Sequence, residues 1–206
     1  MVNNENSGRF LFSKYLLLLS LFILGTHAMD NDKSSISPHF TFKKLTQSDW
    51  PLMLKWFKEP HVQQWWPTPE KDELMGYFLE KIRSKNTFGF IVFLDTTPVG
   101  YIQYYYLDRT KDEAGALWPA LPDTTVGIDQ FIGDPEYLHK GYGTAFIKQF
   151  ISELHTMEPN ITTIVLDTNP ENKAALKCYE KVGFIPIYRY PHQWGESILM
   201  KYDLIA

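Results

Sequence analysis

The chain has 206 residues, 44% of them hydrophobic and 16% aromatic, with a formal net charge of −4 at pH 7. This apolar content suffices for one sizeable core, and the length is too small for two comfortable domains. Because there is no basic excess to neutralise a phosphate backbone, nucleic acid is not an expected partner. The lone Cys178 rules out an internal disulfide framework, and the six histidines lack paired metal-binding spacing, so we expect no metal.

The first 28 residues differ from the rest of the chain. A basic start and an apolar run at 15–25 lead to Ala28, which is the layout of a secretory signal. Met29 offers a second explanation, because a chain that starts there begins with a polar stretch leading directly into the domain. We therefore expect 1–28 to be a signal-like or wrongly assigned segment outside the fold, and 29–206 to be one domain. Membrane contact is expected only if 1–28 is retained.

Hydrophobic periodicity divides the domain into strands and helices. Period-two alternation and β-branched runs predict strands, while apolar residues three and four apart predict helices. Turn residues and caps, such as the Gly183 that closes a helix, mark the boundaries. In chain order the predicted elements are a strand at 40–45, a helix with Ser48 or Asp49 as its N-cap, a helix at 71–84, strands at 88–94 and 99–106 that form a hairpin, a strand at 125–132, a helix at 141–157, a strand at 161–167, a helix at 171–182, and strands near 185–188 and 197–203.

This order predicts the fold class. The first strands suggest an antiparallel arrangement, and a strand–helix–strand unit follows them. We therefore expect an α/β (α+β) domain in which helices flank a mixed, mostly antiparallel twisted sheet. No internal repeat or low-complexity tract interrupts this pattern.

A glycine-containing turn follows the predicted strand at 125–132 and opens the next helix. Amides at the start of a helix lack intrahelical acceptors, and the helix dipole adds partial positive charge, so anions bind there. Glycine at 141 and 143 would remove side chains that block a pyrophosphate from the main chain. A lone glycine pair is also typical of an ordinary tight turn. The six residues of the turn are His139, Lys140, Gly141, Tyr142, Gly143 and Thr144.

About 30 residues further on, the chain reads NPENKAALKCYEKVGF, which contains the pattern N-x-x-A-x-x-x-Y-x-x-x-G-F from Asn172 to Phe184. Together with the glycine turn, this pattern resembles the acetyl-CoA-binding core of the GCN5-related N-acetyltransferase (GNAT) superfamily. The resemblance implies a single GNAT-type domain with a central strand–helix–strand cofactor unit. It also implies acetyl-CoA as co-substrate and transfer of an acetyl group to a primary amine.

Other segments narrow the resemblance. The runs EPHVQQWWP, VGYIQYYY, VGIDQFI and VLDTNPENKAALKCYEKVGF are similar to the aminoglycoside 6′-N-acetyltransferases, over a stretch from about Phe40 to Tyr202. The implied function is acetylation of the 6′-amine of an aminoglycoside antibiotic, and hence antibiotic resistance. Because a family resemblance does not fix the identity of the substrate, two alternatives stay open. One is acetylation of a polyamine, a siderophore precursor or a protein terminus, and the other is a non-catalytic acyl-CoA-binding module.

The resemblance assigns cofactor contacts beyond the glycine turn. Amides at Gln130, Phe131 and Ile132, where the family's fourth strand diverges from its neighbour, are candidates for polarising the thioester carbonyl. Asn172 would bond the cofactor arm or would simply cap the helix that begins beside it. Tyr179 resembles the family's proton donor to the sulfur, and its alternative role is that of a core aromatic on the same apolar stripe.

Asp129 is the second candidate catalytic residue, alongside Tyr179. It interrupts the apolar run VGIDQFI, where burying an unpaired charge is costly. An ordinary aspartate is a weak base toward an ammonium, because its pKa is near ~3.9. We therefore expect Asp129 to position the amine and to relay its proton, and a structural ion pair is the alternative.

Carboxylates and indole rings are candidates for the substrate pocket, because cationic amines bind where carboxylates and aromatic faces act together. Asp167 ends a predicted strand and would add a second anionic contact, although aspartate before Thr-Asn-Pro is also good turn chemistry. Dependence on a cytosolic cofactor favours the cytoplasm, and we expect a monomer or homodimer. The expected substrate-binding residues are Trp65, Trp66, Asp112, Glu113, Trp118, Asp129 and Asp167.

Overall fold

A computed structural model describes residues 38–66, 71–107, 118–192 and 195–204. The segment 1–28 and two predicted substrate residues, Asp112 and Glu113, lie outside the described residues. Within those four ranges, no helix is long and apolar enough to cross a membrane. The same ranges hold no group of three or more His, Cys, Asp or Glu side chains that could bind a metal ion.

Seven strands form one sheet in the described part of the chain. Their order across the sheet is β1-β2-β3-β4-β5-β7-β6, and all neighbours are antiparallel except β4 and β5, which are parallel. The predicted mixed, mostly antiparallel sheet is therefore confirmed. The strands are β1 (Phe40–Lys44), β2 (Thr87–Leu94), β3 (Thr97–Tyr106), β4 (Thr125–Ile132), β5 (Thr163–Thr168), β6 (Ile185–His192) and β7 (Gly195–Asp203).

Five α-helices lie in the described ranges, and the four longer ones match predicted helices. The fifth, α2, has four residues and was not predicted, because a single turn is too short to show a helical period. It begins at a proline, the residue best suited to the first helical position. The helices are α1 (Trp50–Phe57), α2 (Pro60–Gln63), α3 (Lys71–Arg83), α4 (Tyr142–Met157) and α5 (Lys173–Val182).

The sheet buries a hydrophobic cluster on each face. One cluster lies between the sheet and the helices α4 and α5, and includes Ile102, Ile128 and Phe150. The other lies under α1 to α3, and includes Trp56 and Tyr101. Successive residues of a strand point to opposite faces, so neighbours such as Tyr101 and Ile102 belong to different clusters. Both faces of the central strands are therefore packed.

The parallel strands β4 and β5 separate after only three paired positions. The pairs are Thr125 with Thr163, Val126 with Ile164, and Gly127 with Val165. Beyond them, β4 continues along β3 and β5 continues along β7, so each strand is held by its other neighbour. We call the space between Ile128–Ile132 and Leu166–Thr168 the gap. Its two edges are strand backbone that the opposite strand no longer covers.

Candidate active site

The glycine turn leads from a short 3₁₀ turn, Pro135–Tyr137, into α4. His139 and Gly141 adopt positive φ angles of 60° and 81°. The first hydrogen bond of α4 joins the Ala145 amide to the Gly141 carbonyl at 3.1 Å, so the amides of the three residues between them have no acceptor within the helix. A Cβ added to Gly141 would meet no atom within 4 Å. The turn is thus an open, amide-lined helix start of the kind that binds phosphate.

Gly143, the second glycine of the turn, lies beside α5 and β4. A Cβ at this position would lie 3.4 Å from Cys178 Sγ and 3.8 Å from Ile132 Cδ1. An added Cβ would therefore lie in ordinary van der Waals contact with α5 and β4. The Thr144 hydroxyl also contacts the Cys178 thiol, at 3.3 Å, and burial raises the pKa of that thiol. The start of α4 therefore packs against α5 through Gly143 and Thr144.

Two side chains of the turn have different surroundings: Tyr142 packs on the core and Lys140 is exposed. The Tyr142 ring packs edge-on against Phe40, with ring centroids 6.0 Å apart, and so ties the turn to β1. His139 and Lys140 are exposed, and Lys140 Nζ lies 5.6 Å from the centre of the Tyr137 ring. Lys140 places a positive charge beside the helix start, where it would add to the attraction for an anion.

Asn172 caps the helix α5. Its Oδ1 accepts a hydrogen bond from the Ala175 amide at 3.1 Å. Of the two roles the sequence left open, capping is the one that occupies the side-chain oxygen. The side-chain nitrogen Nδ2 is the atom through which a cofactor contact would be made.

The backbone of β4 presents alternate amides to the gap. Gly133 donates to the Val99 carbonyl at 2.9 Å, so the amides two and four residues earlier also point toward β3. Those of Gln130 and Ile132 then face the gap. Phe131 is placed differently from its two neighbours, because its amide faces β3 and its ring packs against Trp66 at 5.2 Å.

Near the end of β4, the Ile132 carbonyl is hydrogen bonded to a histidine on another element. His61 Nε2 lies 2.8 Å from this oxygen. The bond joins the short helix α2 to the strand that lines the gap. It fixes the direction of the last peptide group of β4, and therefore of the neighbouring amides.

Tyr179 lies on α5 and is 9% exposed. Its ring contacts Phe184, with centroids 6.2 Å apart, so it is a core aromatic as one of the two interpretations held. Its hydroxyl oxygen also accepts a hydrogen bond from Gln130 Nε2 at 2.8 Å. Burial raises the pKa of Tyr179 well above its ordinary value, so the phenol stays protonated at neutral pH. The structural role and the proposed chemical role are therefore compatible.

Asp129 lies on the face of the sheet opposite to Tyr179. It is the last of three side chains joined by hydrogen bonds. Gln103 Nε2 donates to Asp129 Oδ2 at 2.7 Å, and the Tyr101 hydroxyl donates to Gln103 Oε1 at 2.9 Å. Burial raises the pKa of Tyr101, and the nearby Tyr77 and Asp129 raise it further. The row of three side chains therefore fixes one carboxylate oxygen of Asp129 through a neutral amide donor.

Asp167 occupies the corresponding position on β5. Since Gly127 pairs with Val165, Asp129 and Asp167 each lie two residues further along and share one face of the sheet. The Tyr190 hydroxyl donates to Asp167 Oδ2 at 2.8 Å. Burial raises the pKa of Tyr190, and the Asp167 charge adds to the effect. The two carboxylates thus flank the gap from opposite sides.

The predicted tryptophans fall in three different settings. Trp118 is buried and packs edge-on against Tyr190, with centroids 6.4 Å apart, which places it on the Asp167 side. Trp66 packs edge-on against Tyr101, with centroids 6.1 Å apart, which places it on the Asp129 side. Trp65 is 38% exposed at the surface. Each carboxylate therefore has aromatic neighbours of its own.

The sequence did not single out several polar groups that complete the site. All but one of them join the site through side-chain contacts between elements distant in the sequence, which no local sequence pattern shows. Gln103 is a buried amide in a strand of apolar and aromatic residues, which is the same anomaly that singles out Asp129. The residues missed are Tyr77, Tyr101, Gln103 and Tyr190.

Comparison with known proteins agrees with this geometry. Residues 46–190 match the family described as the acetyltransferase (GNAT) domain. The aminoglycoside N(6')-acetyltransferase type 1 of Klebsiella pneumoniae is 29% identical over 150 residues, which cover 70% of this chain and 73% of that protein. A kanamycin resistance protein of Rhizobium radiobacter is 40% identical over 73 residues, covering 35% of this chain and 67% of its own.

Solved structures give the same result for the fold. The aminoglycoside acetyltransferase AAC(6')-Ib in complex with coenzyme A superposes with a TM-score of 0.69 at 26% identity, over 80% of this chain and 95% of that one. Spermidine N-acetyltransferase from Vibrio cholerae, at 17% identity and a TM-score of 0.63, covers 80% of this chain and 95% of its own and shares the fold. With its diverging strands and its amide-lined helix start, the chain belongs to the GNAT acetyltransferase family.

Proposed function

We propose that the protein transfers the acetyl group of acetyl-CoA to the 6′-amine of an aminoglycoside antibiotic. The observation that carries the proposal is the placement of Asp129 and Asp167 on one sheet face, on either side of the gap. An aminoglycoside carries several ammonium groups, and two separated carboxylates with aromatic neighbours suit such a polycation. The similar solved structures support this substrate class, since they include complexes with kanamycin and with ribostamycin.

The residues of the turn would hold the co-substrate. The amides of Tyr142, Gly143 and Thr144 have no intrahelical acceptor and would donate to a pyrophosphate. Lys140 would add a positive charge at the same end of α4. Asn172 Nδ2 would contact the arm that runs from the pyrophosphate toward the gap.

Acetyl transfer forms a bond between the amine nitrogen and the thioester carbonyl carbon, and it releases a thiolate. Asp129 would hold the amine and take or relay its proton, while Gln103 fixes one carboxylate oxygen. The Gln130 and Ile132 amides face the gap and would donate to the carbonyl oxygen as it gains negative charge. Tyr179, whose pKa is raised by burial, would give its proton to the departing sulfur.

An assay of thiol release from acetyl-CoA tests the proposal against its alternatives. We expect turnover with kanamycin and tobramycin, and much slower turnover with spermidine or a peptide. Preference for spermidine or the peptide would replace the substrate class while keeping the chemistry. Binding of acetyl-CoA without turnover of any amine would instead favour a non-catalytic acyl-CoA-binding module.

We propose further that the enzyme acts in the cytoplasm, because acetyl-CoA is made there. We also propose that it is a monomer or homodimer. A chain that begins at Met29 should be folded and fully active. Fractionation of the native host, with N-terminal sequencing of the protein, checks the compartment. Recovery of a periplasmic form that lacks 1–28 would overturn the cytoplasmic assignment.

A further inference from the structure

Gln130 joins the gap to the buried hydroxyl of Tyr179 through its side chain. Its Nε2 lies 2.8 Å from Tyr179 Oη and bridges β4 and α5, which are 49 residues apart at this contact. This contact is separate from the role of the Gln130 main-chain amide, which faces the gap. A side chain and an amide of one residue thus reach two sides of the same site.

The donor in this contact decides where the tyrosine proton points. A side-chain NH₂ group donates and does not accept, so the Tyr179 O–H cannot be directed back to Nε2. Among the described residues, no acceptor takes the proton of Tyr179. The hydroxyl is therefore held by its oxygen, while its proton is left for a group that enters the site.

The oxygen of the Gln130 side-chain amide also lacks a hydrogen-bond partner among the described residues. This atom, Oε1, is buried. Leaving a buried acceptor unsatisfied costs about 1–3 kcal/mol, so such atoms in native structures call for an explanation. A secondary amide N–H in the arm of an acyl-CoA is a donor of the required kind.

We propose that Gln130 is a positioning residue for Tyr179: its Nε2 turns the tyrosine proton toward the cofactor sulfur, and its Oε1 accepts a hydrogen bond from the acyl-CoA arm. The inference rests on the proposed function, in which Tyr179 protonates the leaving thiolate. Protonation of the thiolate transfers one proton from Oη to sulfur, and the tyrosinate regains a proton from solvent after product release. Gln130 itself gains and loses nothing.

Two substitutions separate the two ends of the amide. Gln130→Glu keeps the shape but replaces the donor at Nε2 with an acceptor, which would draw the Tyr179 proton toward the carboxylate and away from the sulfur. Gln130→Met keeps the volume and removes both hydrogen bonds. Gln47→Glu, on an exposed surface turn, makes the same charge change away from the site and is the control.

The first measurement is acetyl-CoA affinity by calorimetry with no amine present, so that it does not depend on the acceptor. We expect Gln130→Met to weaken binding about tenfold, the scale of one lost hydrogen bond, while Gln47→Glu binds as wild type does. Unchanged affinity in folded Gln130→Met would overturn the role of Oε1. Because this result is independent of turnover, it stands even if the amine substrate is assigned wrongly.

The second measurement is a double-mutant cycle in kcat with the best amine found. We expect Gln130→Glu to lower kcat about tenfold or more in the wild-type background, with little change in the KM of the amine, and to have no further effect in Tyr179→Phe. Equal losses in both backgrounds would show that Gln130 does not act through Tyr179. Failure of the wild type to acetylate any amine would count against the proposed function and leave the affinity result as the test of Gln130.

Discussion

Asp129 and Asp167 lie on the same face of the sheet, two residues beyond the last paired positions of β4 and β5. The last pair is Gly127 with Val165, after which the strands diverge. Each carboxylate is held by a neutral donor: Gln103 holds Asp129 at 2.7 Å and Tyr190 holds Asp167 at 2.8 Å. The two carboxylates therefore lie on opposite sides of the gap.

Replacing the Asp129 carboxylate tests its proposed catalytic role. Asp129→Asn keeps the shape and an oxygen that can accept from Gln103, so acetyl-CoA affinity and melting temperature should change little. The kcat/KM for the amine should fall about 10²-fold or more, the scale of general-base loss. Raising the pH should recover part of the rate, because more of the amine is then neutral. A lower melting temperature with unchanged specific activity would show that Asp129 is structural.

The phosphate-binding role of the turn is tested by reversing a charge. Lys140→Glu should raise the dissociation constant of acetyl-CoA about tenfold at low salt, since a reversal changes twice an exposed charge–charge interaction of roughly 0.2–1 kcal/mol. The effect should shrink as salt is added. Lys148→Glu makes the same change at an exposed position further along α4 and is the matched control. Equal effects from the two variants would place the phosphates elsewhere.

The packing role of Gly143 predicts a loss of stability that a second substitution repairs. Gly143→Val places branched methyl groups against Cys178 Sγ, which already lies 3.4 Å from the position of a Cβ. Overpacking of this kind costs about 1–3 kcal/mol of unfolding free energy. Gly143→Val with Cys178→Ala should recover much of that loss in urea denaturation, because the sulfur is gone. Additive effects of the two changes would show that the strain has another source.

The buried tyrosines make stability depend on alkaline pH. Burial, assisted by the Asp129 charge, raises the pKa of Tyr77 from 10.0 to about 12. The folded protein therefore favours the neutral phenol, and the resulting stabilisation is complete below pH 10 and is lost as pH rises from 10 to about 12. Tyr77→Phe should show a shallower decline in unfolding free energy across that window. Parallel curves for wild type and variant would mean that Tyr77 ionises equally easily in both states.

The strands and longer helices could be predicted because each carries its own periodic apolar pattern. The helix α2 could not, since Pro60–Gln63 is one turn long. The cap of α1 also differs, because Asp49 accepts from the Thr46 amide at 2.8 Å in a preceding 3₁₀ turn and makes no cap bond to α1 itself. Local patterns thus predict the helices and strands, while the ends of these elements depend on which side-chain hydrogen bonds form there.

Candidate site residues stand out in the sequence where one segment carries the signal, and they are missed where two segments must meet. The turn and Asp129 are visible as local anomalies in the sequence. The contacts of Gln103 with Asp129, and of Tyr190 with Asp167, cross between strands whose register no single segment reveals.

The most direct test of the central claim compares kanamycin with an analogue that carries a hydroxyl in place of the 6′-amine. We predict that acetyl-CoA is consumed with kanamycin, that the product carries one acetyl group on the 6′-nitrogen by NMR, and that the 6′-hydroxyl analogue gives at most a small fraction of this rate. Acetylation of kanamycin at another nitrogen, or equal turnover of the analogue, would contradict it.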